Sequence, residues 1–519
     1  MADEAAHGAE GDDATTSTTV TIEPTKLNLG FQVVDYLKAH SGVVRGLVRR
    51  IYTLGRLAII PESIMLPTLD GVWELLAGNT TMGETARLST ISTTLEEYCR
   101  RIGGRNLRRE TIGNVLVMAS ICLVHMPESE AVLLDLRRSF RKAETLPHLL
   151  DMANQMAVCL KYNQMLLASQ KWGYSNLWVC SSLGGAHILR VCHGHPSELP
   201  PSRADQYPGF MSQWRRRCFA VISSMDKIVA TVFGRPPFLS RHYCSLEPPL
   251  DVHDDNNDHS FSTAFDIYIR LRFLLSTVRE EVLELHLGTE RVDLPLRTGQ
   301  ESHNLRTIWN SCPPHLEYNA SMWTSHLPCD VWPLFSLYLE HQYSLFLIHR
   351  LSAYQRPPDQ SSDLISVARD ILSTVIVLNN ERENLRAIRS DFGGVLLPFG
   401  LPCAEVLLTE VLRQTSTPAA RVPRTPRAET VRDLTIFVSC LSWATSRGSG
   451  HFEFGQTVQA NLTRRLDQLL DQSGNDHGGA AVGDDSELLE LGLGLDSFID
   501  WDIAGLQDPR FELFCGSIL

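Results

Sequence analysis

The sequence contains no CxxC pair. Its 12 cysteines are scattered over 519 residues, and the closest two, Cys180 and Cys192, stand 12 residues apart. Such spacing gives neither a zinc ribbon nor a disulfide framework, and scattered thiols in a large chain are mostly small buried side chains in a reducing compartment. There is no G-x-S-x-G nucleophile elbow, no Walker loop and no Rossmann glycine fingerprint. The leader "MADEAAHGAEGDDATTSTTV" lacks an apolar core and arginine, so it reads as neither a signal nor a transit peptide. The longest apolar run is read near "VLVMASICLV" at 115–124, far short of the ~20 residues of a membrane span. No repeat of fixed period is present. The expected compartment is therefore the nucleus or cytosol, with no membrane partner.

What is present is ordinary for a globular protein: 43% hydrophobic and 21% charged residues, with a formal charge of −13. A net acidic surface repels DNA phosphates, which argues against nucleic acid as a direct ligand. From about Phe31 to Leu285 apolar residues recur at steps of three and four. Breaks are read at Pro61, Pro67, Gly103-Gly104, Pro127, Pro147 and "HGHPSELPPSRADQYPG". This spacing, with few alternating runs, predicts an all-α fold. The clearest helix is expected over about Gln213–Phe233, with Trp214, Cys218, Val221, Ile222, Met225, Ile228, Val229 and Val232 on one face. Arg215, Arg216 and Arg217 cannot all share that face. Gly234 follows where a left-handed cap needs glycine, and Pro236-Pro237 prevents continuation. A second helix is expected over "PLFSLYLEHQYSLFLIHRLSAY", with Leu334, Leu337, Tyr338, His341, Leu345 and Ile348 as its apolar stripe, and a third from Leu364 to Leu378.

The expected organisation is a disordered acidic leader (1–25), a helical domain (26–470), a linker (471–485) and an acidic-hydrophobic tail (486–519). Residues 413–429, rich in Pro, Thr and Arg, read as an exposed loop.

Three constellations invite chemistry. Asp254, Asp255 and Asp258 fit the DDxxD spacing with which terpenoid cyclases and prenyl transferases hold magnesium. They follow Pro248-Pro249 in turn-forming surroundings, and no second metal-binding triad lies downstream, so a solvated acidic loop is the preferred reading. His187, Cys192, His193 and His195 lack the second Cys/His pair a structural zinc needs. The arginines of "RRIGGRNLRRE" (Arg100, Arg101, Arg105, Arg108, Arg109) and of the loop (Arg421, Arg424, Arg427) read as solvated faces, without interleaved aromatics for base stacking. No catalytic, cofactor-binding or metal residue is assigned. In the tail, Phe498, Ile499 and Trp501 stand among acids at nearly every gap, opposed by Arg510. Mutual repulsion keeps such apolar groups available to a partner groove, the physics of an activation segment; docking on the protein's own core is the competing outcome.

The string "QWRRRCFAVISSMDKIVATVFGRPPFLS…LEPPLDVHDD" resembles the middle homology region of fungal-specific transcription factors. The matching positions are Arg215, Arg216, Arg217, Asp226, Gly234, Arg235, Pro236, Pro248, Pro249, Asp254 and Asp255. "LYLEHQYSLFLIHR", ending in His349-Arg350, is similar to the family's later helix, and "ETIGNVLVMAS" and "LGGAHILRVC" to earlier ones. The resemblance spans roughly residues 30–470. It implies a multi-helix regulatory domain, no enzymatic activity, a nuclear location and control of a metabolic or secondary-metabolite gene set. The implied partners are the transcription machinery or a coactivator on the tail, and a second copy or a related chain in a dimer. Family members usually carry a zinc binuclear cluster of six close cysteines, yet the first cysteine here is Cys99. DNA contact is accordingly expected through a module upstream of Met1 or through a partner. Two other functions fit parts of the sequence: a magnesium-dependent enzyme of the terpenoid synthase type using Asp254, Asp255 and Asp258, and a DNA-free corepressor or scaffold. Asp226 and Arg235 are expected to form a buried or half-buried polar network that fixes the helix end.

Overall fold

The computed structural model describes residues 33–53, 59–78, 94–104, 107–125, 155–172, 209–243, 248–249, 264–288, 293–353, 362–383, 385, 391–416, 426–445 and 451–474. Among the described residues every regular element is helical, in line with the all-α expectation. The leader and the tail lie outside them, as do Phe498, Ile499 and Trp501.

α1 (Ser41–Thr53), α2 (Glu62–Leu76), α3 (Leu95–Gly103), α4 (Arg109–Val124) and α5 (Gln155–Trp172) form an N-terminal group, with α1 on α4, α2 on α3 and α4 on α5. α6 (Gly209–Val232) packs along α7 (Ala264–Leu287). α8 (Leu294–Asn310), the single turn α9 (Met322–Ser325) and α10 (Pro328–Ala353) follow, and α7 touches both α8 and α10. α11 (Ser362–Asn380) lies on α10. The turn α12 (Gly393–Val395), a π-helical turn at Leu396–Gly400 and α13 (Leu401–Ser416) succeed one another without interruption. α14 (Arg427–Ala444) shares α11 with α13, and α15 (Phe452–Gly474) closes against α14. Buried side chains from Val33 to Leu469 make one apolar core.

Local chemistry explains several boundaries. α3 starts on Thr94, whose hydroxyl accepts the Glu97 N–H at 3.2 Å. Glu96 and Glu97 in its first turn face Arg100 (3.1 Å) and Arg101 in its last, an arrangement that suits both the helix dipole and i,i+4 pairing. These described arginines of the basic cluster are thus engaged with neighbouring acids. α3 ends on Gly103, where a Cβ would lie 2.3 Å from the Thr68 carbonyl oxygen of α2. Only glycine permits that approach.

Four sequence expectations need correction. Pro67 does not break a helix: α2 runs through it. Proline leaves the Ser63 carbonyl without its helical N–H, and the Cys99 thiol of α3 lies over this turn, 3.8 Å from the Ser63 oxygen and 3.5 Å from that of Ile64. α10 starts at Pro328 and carries Pro333 inside it, five residues earlier than its proline signal suggests. Its buried surface is also no stripe. Leu337, His341 and Ile348 are buried, but so are Phe335, Leu339, Phe346, Leu347 and Leu351, because the helix has neighbours on most sides. His341 stacks on Trp309 of α8 (centroids 4.1 Å), and burial lowers its pKa to about 4. The third correction concerns the loop at 413–429: α13 extends to Ser416 and α14 begins at Arg427, so 417–425 alone stays outside the described residues. α15 likewise enters the expected linker as far as Gly474. Finally, the longest apolar helical run is Gly393–Gln414 rather than 115–124. By length and composition it could cross a membrane, but 83% of its apolar window is buried inside the protein, as befits a core helix.

Candidate functional site

α6 contains Arg217, Asp226 and Lys227 among its buried residues. An amphipathic helix would turn such groups to water; this one does not, because α7 carries matching charges. Asp266, Phe273 and Glu280 recur every seven residues along α7, which keeps them on one side of the helix. They meet α6. Arg217 Nη1 lies 3.2 Å from Asp266 Oδ1, the rings of Phe219 and Phe273 are 5.8 Å apart, and Lys227 Nζ is 3.3 Å from Glu280 Oε2. A second heptad row, Arg272, Arg279 and His286, meets α10. Glu340 receives Arg279 at 2.5 Å and Arg272 at 3.5 Å, Arg279 also donates to the Glu340 carbonyl at 3.1 Å, and His286 Nε2 is 3.2 Å from the Leu347 carbonyl. α7 thus holds α6 and α10 by charge on two adjacent faces. The charges balance within this seam: Arg217, Lys227, Arg272 and Arg279 against Asp226, Asp266, Glu280 and Glu340. Burial disfavours the charged form of Arg272, but Tyr268 and Glu340 beside it outweigh that and raise its pKa above the ordinary value.

The end of α6 is fixed by the same chemistry. Gly234 has φ +56°, the left-handed conformation. The Gly234 N–H reaches the Thr231 carbonyl (3.3 Å) and the Arg235 N–H the Ala230 carbonyl (3.0 Å), the paired bonds of a Schellman cap. The chain then folds back over Pro236-Pro237, and the Asp226 carboxylate accepts the N–H groups of Phe238 (3.1 Å) and Leu239 (2.9 Å). Lys227 Nζ, 3.4 Å from Asp226, donates to the Leu239 carbonyl. Arg235 spreads its guanidinium over the Phe238 ring at 4.0 Å and donates to the Pro236 carbonyl at 2.9 Å. Burial lowers its pKa and nearby Asp226 partly offsets the shift. Five residues after its cap, the helix is locked to its own exit loop.

The structure places Asp226, Gly234, Arg235 and Pro236 together at this corner. Of the basic run, Arg217 points inward to Asp266, while Arg215 and Arg216 are partly exposed. His349 and Arg350 lie elsewhere, near the end of α10, where Arg350 is buried and His349 half-buried. Asp254, Asp255 and Asp258 fall outside the described residues, as do His187, Cys192, His193 and His195. Sequence reasoning missed Lys227, Asp266, Glu280, Arg272, Arg279 and Glu340. The four on α7 recur at heptad spacing inside "FDIYIRLRFLLSTVREEVLELHL", but spacing alone does not tell a buried charge from a surface one, and Lys227 and Glu340 carry no such pattern.

Each of these carboxylates is engaged by a cation or a backbone N–H, so the arrangement holds α6, α7 and α10 together. Among the described residues, His242, Glu281 and Glu284 bring ligand atoms within 4.8 Å of one another. Glu281 is already paired with Arg241 and with Arg297 (3.7 Å), and His242 and Glu284 are about half exposed.

Comparison with known proteins gives one match. Residues 149–306 match the family model described as the fungal specific transcription factor domain. No curated protein and no solved structure matches the chain. The matched stretch contains α5, α6 and α7 and enters α8, so it includes the Gly234 corner and the α6 half of the seam; the resemblance read from sequence extends beyond it, over roughly 30–470. Taken with the helical architecture, the match supports placing residues 149–306 in the fungal specific transcription factor domain family.

Proposed function

We propose that the protein is a nuclear transcription regulator of a metabolic or secondary-metabolite gene set, in which the helical domain is a rigid regulatory body and the acidic tail recruits a coactivator. The observation that carries this reading is the family match over residues 149–306. The buried charges of α6, α7 and α10 support the rigid body in this reading, because they fix how the three helices pack on one another. The domain is taken to run from residue 26 to the end of α15 at Gly474, and 486–519 as the activation segment, with Phe498, Ile499 and Trp501 entering the partner's groove. With a net charge of −13, DNA is reached through a partner protein or a module outside residues 1–519, and the chain works as a homo- or heterodimer. No enzymatic step and no cofactor is part of this reading.

The test is a reporter to which the full chain is tethered by a foreign DNA-binding module. The intact chain raises transcription; deletion of 486–519, or Phe498→Ala with Trp501→Ala, removes most of the gain at equal protein level. Activation that survives the deletion rejects the tail as the activating segment, and a silent intact chain favours the corepressor or scaffold reading.

A further inference from the structure

α5 and α6 meet over a narrow contact, although α5 is bound firmly to α4 and α6 to α7. At this joint Cys159 Sγ of α5 and Cys218 Sγ of α6 lie 3.7 Å apart, and neither residue has exposed surface. The surroundings are ordered by Trp214, one turn before Cys218. Its indole N–H donates to the Ile59 carbonyl at 3.2 Å, and the Cys218 thiol points at the same oxygen from 3.9 Å. Tyr98 of α3 packs edge-on against the Trp214 ring, centroids 6.1 Å apart. Segments from α3, the 59–60 turn, α5 and α6 therefore converge on two sulfurs.

We propose that Cys159 and Cys218 form a modification site: a dithiol that a hydroperoxide converts to a disulfide, fastening the N-terminal helices to α6. The reaction takes two steps. One thiol, as thiolate, attacks one peroxide oxygen; the O–O bond breaks, that oxygen stays on the sulfur as a sulfenic acid, and the other oxygen leaves as water or alcohol once it takes up a proton. The second thiol then attacks the sulfenic sulfur, the S–O bond breaks, water leaves, and the S–S bond forms. The two sulfurs give up two electrons and two protons, and the peroxide is reduced. A disulfide needs an S–S distance of about 2.05 Å, so each sulfur has to move by less than about 1 Å once the sulfenic acid is present. In a reducing compartment the dithiol is the resting form.

The burial that positions the pair also restrains it. Desolvation, then the neighbouring Cys218, holds the Cys159 thiol well above its ordinary pKa, and the thiolate is the reactive form. The first step thus requires the α5–α6 joint to open, and the second is completed when it closes. Cys159 and Cys218 record opening of the joint under oxidising conditions and then prevent it. This inference is independent of the transcriptional reading.

The test uses the reduced full-length chain, treated with hydrogen peroxide and mapped by non-reducing peptide mass spectrometry. A peptide pair joined through Cys159 and Cys218 is expected, reversed by dithiothreitol and absent in Cys159→Ala and Cys218→Ala, with both variants checked for native helicity by circular dichroism. Urea at concentrations below the unfolding transition raises the rate of linkage several-fold, and the oxidised protein unfolds at a higher temperature than the reduced one. Partly exposed Cys329 serves as the internal control for peroxide reaching the protein. The proposal is overturned if Cys329 oxidises while the 159–218 linkage is absent from folded protein, or if the linkage forms only at denaturant concentrations that unfold the whole chain. Should a single variant fail to fold, the double variant Cys159→Ser/Cys218→Ser is used, and an unchanged oxidative rise in melting temperature there counts equally against it.

Discussion

Two neighbouring layers of this protein bury their helices by different chemistry. Between α6, α7 and α10 the contacts include Arg217–Asp266, Lys227–Glu280 and Arg279–Glu340, all nearly inaccessible to water. In α11, α13 and α14 the buried residues are overwhelmingly apolar, among them Ile371, Val375, Leu408, Phe437 and Leu441. Of the ion pairs there, Arg369–Glu429 (2.9 Å) and Arg465–Glu405 (2.5 Å) sit where water still reaches both partners, and in Arg413–Glu410 (2.8 Å) the carboxylate is buried but the arginine is not. An apolar layer tolerates small slips and volume-conserving exchange. A layer of buried charges does not, since any displacement leaves a desolvated ion without its partner. The charged layer is therefore the one that specifies how α6, α7 and α10 sit on each other, and part of it lies inside the family match.

Substitutions sharpen this contrast. The largest effect is expected for Glu340→Ala, which strands Arg272 and Arg279 together; the loss is about 3–5 kcal/mol in urea unfolding. Phe437→Ala in the apolar layer removes a ring with no exposed surface, packed so tightly that a Cβ on Gly400 would lie 2.5 Å from it. It costs about 3–5 kcal/mol as a cavity. The two differ in their repair: Phe437→Leu recovers much of the stability, whereas Glu340→Gln recovers little, because the amide supplies shape without charge. Arg235→Ala loses the stack on Phe238 and one hydrogen bond, about 1–2 kcal/mol. Wild-type melting of that variant contradicts the structural role given to the Gly234 corner. Arg369→Ala, at the edge of the apolar layer, changes stability by less than about 1 kcal/mol. A cost as large as that of Glu340→Ala would erase the distinction between the layers.

Much of the fold could be read from spacing and punctuation. The end of α6 was legible because glycine followed by two prolines allows few backbone paths, and Asp226 stood out as a charge on a buried helix. The acids and bases of α7 were not legible in the same way. A helix buried on several faces has no polar side to betray it, so its charges read as surface residues until the neighbouring helices are placed. Pro67 and Pro333 misled for a related reason: a proline stops a helix only where nothing else supports the chain, and here tertiary contacts, with the Cys99 thiol at the Ser63 carbonyl, support it. Helical spacing already implied that Arg215, Arg216 and Arg217 divide between faces, but not which one turns inward: that is Arg217, with Arg215 and Arg216 partly exposed.

The most direct test of the charged layer is a double-mutant cycle on Arg217 and Asp266, read by equilibrium unfolding. Arg217→Met and Asp266→Leu each lower stability by about 3–5 kcal/mol, and the double variant regains most of that loss, because no ion is left buried alone. Additivity of the two single effects to within about 0.5 kcal/mol would contradict the account, for it would mean that each side chain sits in the core without depending on the other.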